Sequence, residues 1–296
     1  MKWGLTPRER RQFEEDGFLV KHGVLSRTEL AALNRVADRL YRRYSGDAHT
    51  GRLEVRNAVA HDRLLLQMVD HRTLLPAIVD LLGPDIKLRT SELDIRPPVS
   101  ATTGAEIGRN RWGEPEQWHI DGPIYGYPDI DGLLPMMEVR AGYYLTDLRS
   151  TDSGCLCVVK GSHCFDYRLL ADPDFRVPAS AIVRVEVPSG SAILFRTGVW
   201  HCATPNMSTR TRKVLYYAYT YRWIQSSDYF SQSAALLRRC TPIQRQLIGG
   251  VVRRTRHPLG DAALRPSSFY WFTCPEDIPL LAWWDEVVSR RKGRRR

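Results

Sequence analysis

The periodicity of the chain changes from helical to strand-like near residue 86, and this change constrains the fold most. Before it, Thr6 with Glu9 and Ser26 with Glu29 form capping-box patterns, which predict helix starts. After it come short apolar segments between turns, at 86–89, 92–95, 117–121, 139–148, 155–159, 181–187, 192–196 and 213–223. About eight strands, followed by a helical tail from residue 228, indicate helices packed on a β-barrel or sandwich rather than a doubly wound α/β sheet.

The length and composition suit one domain. The chain has 296 residues, 43% of them hydrophobic, and no internal repeat is visible. We therefore predict a single domain over 1–296, with a mainly helical part at 1–85, a strand-rich core at 86–224 and a helical part at 225–296. No apolar run approaches the roughly 18–20 residues that span a bilayer, so no membrane partner is expected. The first residues lack the apolar core of a signal peptide, which favours a cytoplasmic location.

A formal net charge of +10 raises the question of a nucleic-acid partner. Six positive charges belong to the terminal segment 290–296, and a run of this kind is usually a solvated tail. The other arginines are interspersed with acids. No nucleic-acid partner is therefore expected. A nucleic-acid binder that uses this tail stays an alternative, and its affinity would fall steeply with salt.

A second feature of the sequence is a set of side chains that can bind a metal ion and a carboxylate. In the segment Gln117-Trp118-His119-Ile120-Asp121, an extended backbone directs His119 and Asp121 to one side and Ile120 to the other. His201 follows the apolar run 191–195. Two imidazoles and one carboxylate on one face of an iron leave its other positions free for an oxidant and a co-substrate. Arg212, beyond a turn-like segment at 205–208, offers a guanidinium that can bind a carboxylate bidentately.

The ordered set of His119, Asp121, His201 and Arg212, with Gly161-Ser162-His163 and Asn206, resembles the phytanoyl-CoA dioxygenase-like Fe(II)/2-oxoglutarate oxygenases over residues 16–221. The resemblance implies a double-stranded β-helix, or jelly roll. It also implies that Fe(II), 2-oxoglutarate and O2 are used. The iron ligands would be His119, Asp121 and His201, and Arg212 would hold the distal carboxylate of 2-oxoglutarate. Related halogenases have a small residue in place of the acid, so the presence of Asp121 argues for oxygenation.

The resemblance extends to weaker positions. Tyr143 falls where an aromatic residue flanks the co-substrate, and Arg96 where some relatives place a basic residue against it. Ala203 replaces a small hydroxyl residue of the family, and Thr204 could supply the missing contact. Strand geometry alone puts Arg210 on the same face as Arg212, so Arg210 competes with it. His163 is interpreted as a turn residue rather than a metal ligand.

The predicted substrate is a small molecule of unidentified structure. Tyr125 and Met137 lie in or near the irregular segment 122–135, and Trp223 follows the strand that contains Arg212. At these positions they could line a pocket for a bulky, partly apolar molecule. The resemblance implies oxidation of an unactivated C–H bond, and we expect a hydroxylation in natural-product biosynthesis. Oxidative cyclisation or desaturation by the same cofactors stays open. An alternative from another class is a metal-free jelly roll that binds a small molecule. No pattern indicates the oligomeric state.

Overall fold

The computed structural model describes residues 4–45, 51–100, 118–121, 131–150, 152–172, 174–250 and 278–293. Seven α-helices occur in these residues: α1 Pro7–Asp16, α2 Arg27–Tyr44, α3 Arg63–Gln67, α4 Leu75–Leu82, α5 Ala234–Arg238, α6 Pro242–Leu247 and α7 Pro279–Gly293. Both predicted capping boxes are present, at Thr6 with Glu9 and at Ser26 with Glu29. None of the helices in this part of the chain is both long and apolar enough to cross a membrane.

Nine strands are described: β1 Phe18–Lys21, β2 Leu53–Arg56, β3 Ile86–Arg96, β4 Glu138–Tyr144, β5 Leu156–Val159, β6 Ile182–Arg184, β7 Ala192–Arg196, β8 His201–Ala203 and β9 Arg212–Tyr221. A large sheet has the order β1-β7-β4-β9-β3-β2, and a small sheet has the order β6-β5-β8. Every strand pair is antiparallel. The segments predicted as two strands at 86–95 form one strand, with a register shift between Leu88 and Thr90.

Two strands come from the part of the chain that was predicted to be mainly helical. β1 forms one edge of the large sheet through β7, and β2 forms the other edge through β3. The short apolar run Phe18-Leu19-Val20 after Gly17 predicts β1, whereas no pattern predicts β2. Its sequence, Leu-Glu-Val-Arg, alternates only over four residues, so its strand conformation depends on pairing with β3.

The large sheet separates two hydrophobic clusters. On one face, odd-numbered residues of β4 and β9 such as Tyr143, Leu215 and Tyr217 pack with Leu40 of α2 and Ile78 of α4. On the other face, the second cluster joins residues of both sheets, among them Tyr144, Val214, Phe195, Leu156 and Val158. Side chains that alternate along the same strands therefore enter different environments. The functional side chains described below lie on the face toward the small sheet.

Candidate metal centre

Three predicted ligands meet at one point. His201 begins β8, and the backbone of His119 pairs with it in an isolated antiparallel bridge, with N–O distances of 3.1 and 2.9 Å. The bridge and the extended backbone place His119, Asp121 and His201 together. One ligand atom from each of the three residues lies within 4.8 Å of the others. Two imidazoles and a carboxylate form the donor set of the non-haem Fe(II) oxygenases, so this cluster fits that metal.

The fold also orients His201. Gly198, whose φ is 86°, lies in the turn that takes the chain from β7 in the large sheet to β8 in the small sheet. The Nδ1 atom of His201 is 2.9 Å from the carbonyl oxygen of Val199. This contact places a proton on Nδ1, so in the neutral imidazole the lone pair of Nε2 is available to a metal; Nε2 lies 3.3 Å from Oδ2 of Asp121. The His201 ring packs against Phe195 with 4.8 Å between ring centroids.

Arg140 of β4 lies against the carboxylate ligand. Its Nε atom is 2.9 Å from Oδ2 of Asp121, and its side chain is also close to Glu92 and Glu138. Burial raises the pKa of the Asp121 carboxyl, but Arg140, His201 and His119 outweigh burial and hold this pKa well below its ordinary value. The carboxylate is therefore ionised and ready to bind a cation over the whole physiological pH range.

A cavity of about 520 Å³ opens above this centre, and one end of it is cationic. There the buried carboxylate of Asp94 is shared by three guanidinium groups, with N–O distances of 2.8 Å to Arg52, 2.8 Å to Arg96 and 2.5 Å to Arg212. Burial raises the pKa of Asp94, but these three charges outweigh it and lower the pKa to about 2. Three cations around one anion leave a surplus of positive charge, which suits a further carboxylate.

Arg212 is buried, and its surroundings contain polar atoms that lack partners. Its Nη2 donates to the hydroxyl of Tyr216 at 3.0 Å. Its Nε atom and the hydroxyl of Tyr144 have no hydrogen-bond partner among the described residues, although both are buried. Unsatisfied buried donors of this kind indicate a missing polar ligand. Arg210, the competing residue, is exposed. The residues present thus fit a dicarboxylate such as 2-oxoglutarate.

The structure places Tyr143 away from the cavity and gives the Thr204 hydroxyl a partner within the small sheet. Tyr143 points to the helix-covered face of the large sheet, where its hydroxyl is 3.5 Å from the carbonyl oxygen of Met68 and its ring contacts His71. Because side chains alternate along β4, the neighbouring Tyr144 faces the site instead. The hydroxyl of Thr204 donates to the carbonyl oxygen of Cys155, and Ala203 itself lines the cavity.

Two of the predicted substrate residues are also elsewhere. Met137 is half-buried just before β4 and is not among the residues that line the cavity. Trp223 is 60% exposed and stacks on Tyr221. Tyr125 lies outside the described residues. His163 is in a turn after β5, with its Nε2 atom 3.1 Å from the carbonyl oxygen of Glu14, and takes no part in the metal cluster.

The residues missed from the sequence are the charged ones on β2, β3 and β4. Arg56, Arg89, Glu92 and Arg140 line the cavity, together with Thr90. Charges on strands usually face solvent, so their sequence positions did not single them out. A usable signal was present in β3, where Thr90, Glu92, Asp94 and Arg96 alternate with the apolar Leu93 and Ile95 in a long strand.

An antiparallel two-sheet fold with a two-histidine, one-carboxylate cluster defines the class of jelly-roll metal enzymes. More specifically, residues 13–214 match the family "Phytanoyl-CoA dioxygenase (PhyH)", so the chain belongs to this family. No curated protein is significantly similar to it in sequence. The predicted family, jelly-roll fold and Fe(II)/2-oxoglutarate-dependent oxidoreductase class are confirmed.

Solved structures share the fold at low sequence identity. HygX from Streptomyces hygroscopicus, with nickel and 2-oxoglutarate bound, is 20% identical with a TM-score of 0.58, covering 79% of this chain and 94% of HygX. SnoK, an alpha-ketoglutarate-dependent carbocyclase from nogalamycin biosynthesis, is 20% identical with a TM-score of 0.54, covering 77% and 95%. EctD from S. alaskensis, with 2-oxoglutarate and 5-hydroxyectoine, is 20% identical with a TM-score of 0.54, covering 73% and 76%.

Proposed function

We propose that this protein oxidises an unactivated C–H bond of a small molecule in natural-product biosynthesis, with hydroxylation as the reaction. The observation that carries the proposal is the convergence of His119, Asp121 and His201 beside a cationic pocket that has unsatisfied buried donors. SnoK, whose fold is similar, belongs to nogalamycin biosynthesis, which supports the natural-product context.

Each residue has a definite part in this proposal. His119, Asp121 and His201 would hold Fe(II), and Arg212, with Arg96 at the rim, would hold the distal carboxylate of 2-oxoglutarate. Bound iron and 2-oxoglutarate supply oxidising power from O2 through decarboxylation of the co-substrate to succinate. In the neutral imidazole of His201, the Val199 carbonyl oxygen selects the tautomer with the proton on Nδ1, which makes the lone pair of Nε2 available to the metal.

The other residues of the site position the metal ligands and shield the reacting atoms from water. Arg140 holds the Asp121 carboxylate from the side of the large sheet. Phe195 and Leu156 present apolar surface to the metal half of the cavity, which limits the water in contact with the reacting atoms. The protein thus contributes orientation and a preorganised charge distribution, and the oxidant comes from the cofactors.

The test is an anaerobic titration of metal-free protein with Fe(II) and 2-oxoglutarate, followed through the visible metal-to-ligand charge-transfer band. We expect a band in the wild type, its loss in His201→Ala, and at least tenfold weaker 2-oxoglutarate binding in Arg212→Ala. Arg210→Ala is the matched control, because Arg210 lies two residues away and is exposed. Folded wild-type protein without a band would contradict the proposal and favour a metal-free binding module.

Oxidative cyclisation is the second candidate, because the carbocyclase SnoK has a similar fold. The three side chains that would hold iron do not distinguish the two outcomes. The product mass does: hydroxylation adds about 16 mass units, whereas ring closure or desaturation removes about 2, since one oxygen is added or two hydrogens are lost. Mass spectrometry of the product therefore decides between them.

A further inference from the structure

The cavity has two halves of different chemistry. Beside His201 its wall contains apolar side chains, Leu156, Phe195 and Ala203. Away from the metal, the described wall is formed by β2, β3, β4, Tyr216 of β9 and the segment after β9. There it is polar with the exception of Ile224 and the ring of Tyr216. The bulky, partly apolar substrate expected from the sequence does not match this far half.

A continuous series of alternating charges crosses the far half. Arg56 donates to Glu92 with an N–O distance of 2.6 Å, and the other oxygen of Glu92 is 3.4 Å from Nη1 of Arg140. Arg140 is 3.8 Å from Glu138, which forms a bidentate pair with Arg89. Arg89 in turn donates to the hydroxyl of Ser227 at 2.9 Å. Each carboxylate in the series is shared between two guanidinium groups.

The charges of this surface balance. The guanidinium groups of Arg56, Arg89 and Arg140 pair with the carboxylates of Glu54, Glu92 and Glu138, so neither sign is in excess. A thioester of coenzyme A or another phosphorylated substrate would need a surplus of positive charge here, and a polycation would need a surplus of negative charge. The surface therefore favours a substrate of low net charge.

Thr90 identifies a specific unfilled contact. It lines the cavity and is 2% exposed, and its hydroxyl has no hydrogen-bond partner among the described residues. In the sheet, Ala218 of β9 lies between Thr90 of β3 and Arg140 of β4 in register. The side chain between them on this face is therefore only a methyl group, so Thr90 and Arg140 are positioned to bind the same ligand hydroxyl.

We propose that the substrate is an uncharged, polyhydroxylated small molecule of the sugar or cyclitol type, bound on the surface formed by Thr90, Glu92, Arg140 and Ser227. The inference rests on the proposed function, because it concerns the same cavity. An apolar ligand would strip water from these groups without replacing its hydrogen bonds, which is unfavourable, whereas adjacent hydroxyls both donate to carboxylates and accept from guanidinium groups. Arg140 touches both this surface and Asp121, so a bound hydroxyl-bearing carbon lies close to the metal ligands.

The test compares two probes that share a ring and differ in hydroxyl number, myo-inositol and cyclohexanol. Binding is measured by saturation-transfer NMR on the full chain loaded with Zn(II) and 2-oxoglutarate. We expect a signal for myo-inositol with a millimolar Kd and a weaker or absent signal for cyclohexanol. Binding of cyclohexanol in preference to myo-inositol, or no binding of myo-inositol, would overturn the inference.

The isosteric variant Thr90→Val locates the site. Loss of one hydrogen bond should weaken myo-inositol binding about five- to tenfold. Thr209→Val, the same change at an exposed residue, should leave the affinity as in the wild type. Unchanged binding in Thr90→Val would overturn the assignment of this surface.

The Fe(II) charge-transfer band keeps the two proposals separate. If the protein shows the band but prefers cyclohexanol, the proposed function is supported and the substrate inference is wrong. Protein without the band fails the proposed function, while selective binding of myo-inositol that depends on Thr90 would still support the polyhydroxylated ligand.

Discussion

At the scale of single residues, Arg140 links the metal centre to the rest of the cavity. It is surrounded by the carboxylates of Asp121, Glu92 and Glu138. Burial lowers the pKa of its guanidinium, but these three carboxylates outweigh burial and raise the pKa above its ordinary value. Arg140 therefore stays charged, and its charge is the shared counter-ion of three acids.

Replacing Arg140 by methionine tests whether the three carboxylates depend on its charge. The Arg140→Met variant should be less stable than the wild type by about 3–5 kcal/mol in urea unfolding at pH 7, because three carboxylates lose a buried cation. Added Fe(II) supplies positive charge at Asp121, so it should raise the Tm of the variant more than that of the wild type. Arg149→Met, which removes an exposed ion pair with Asp147, is the control and should behave as the wild type. Equal stabilisation of Arg140→Met and the wild type by Fe(II) would contradict the role of Arg140 as the counter-ion of Asp121.

At the scale of secondary-structure elements, the register of β4 decides which side chains reach the site. Gly142 is paired with Tyr216 of β9 and Ile193 of β7. A Cβ atom at Gly142 would lie 2.6 Å from Cε1 of Tyr216, so the missing side chain makes room for that ring. The Tyr216 hydroxyl accepts from Arg212, which connects the packing of β4 to the cationic pocket.

Gly142→Ala should therefore disturb the co-substrate end of the cavity. The added methyl group must displace the Tyr216 ring, which should cost about 1–3 kcal/mol of stability and weaken 2-oxoglutarate binding in the charge-transfer titration. Gly51→Ala is the matched control, because no atom of the described residues lies within 4 Å of a Cβ at Gly51. Unaltered 2-oxoglutarate affinity in Gly142→Ala would show that the Tyr216 ring does not position Arg212.

The same register explains what could be predicted at this scale. The starts of α1 and α2 depend on local capping boxes, and His119 and Asp121 depend on local alternation, so both were accessible from the sequence. Tyr143 was misplaced because local sequence does not determine which set of alternating residues faces the helices. That choice depends on partners far along the chain, in β7 and β9.

At the scale of the whole molecule, the two faces of the large sheet have different roles. One face packs on helices through an apolar cluster, and the other holds charged side chains beside the small sheet. The jelly-roll class followed from the order of helices and strands and from the family motifs. The charged wall of the cavity could not be predicted in the same way, because the paired residues of β2 and β3 are 36 to 42 positions apart in sequence and meet only in the folded sheet. Asp94 lies at the point where these strands meet.

Asp94 should make global stability depend on pH in acid. Its pKa falls from an ordinary 3.8 to about 2 on folding, so its ionised form stabilises the protein above the unfolded-state pKa, and this stabilisation is lost as pH falls toward 2. The shift corresponds to about 2 kcal/mol. In urea unfolding from pH 5 to pH 2.5, Asp94→Asn should lack this part of the decline and should be less stable at pH 7, because Arg52, Arg96 and Arg212 lose their shared anion. The exposed Asp172→Asn variant should follow the wild-type curve. Parallel curves for Asp94→Asn and the wild type would contradict a role for this carboxylate in holding the three arginines together.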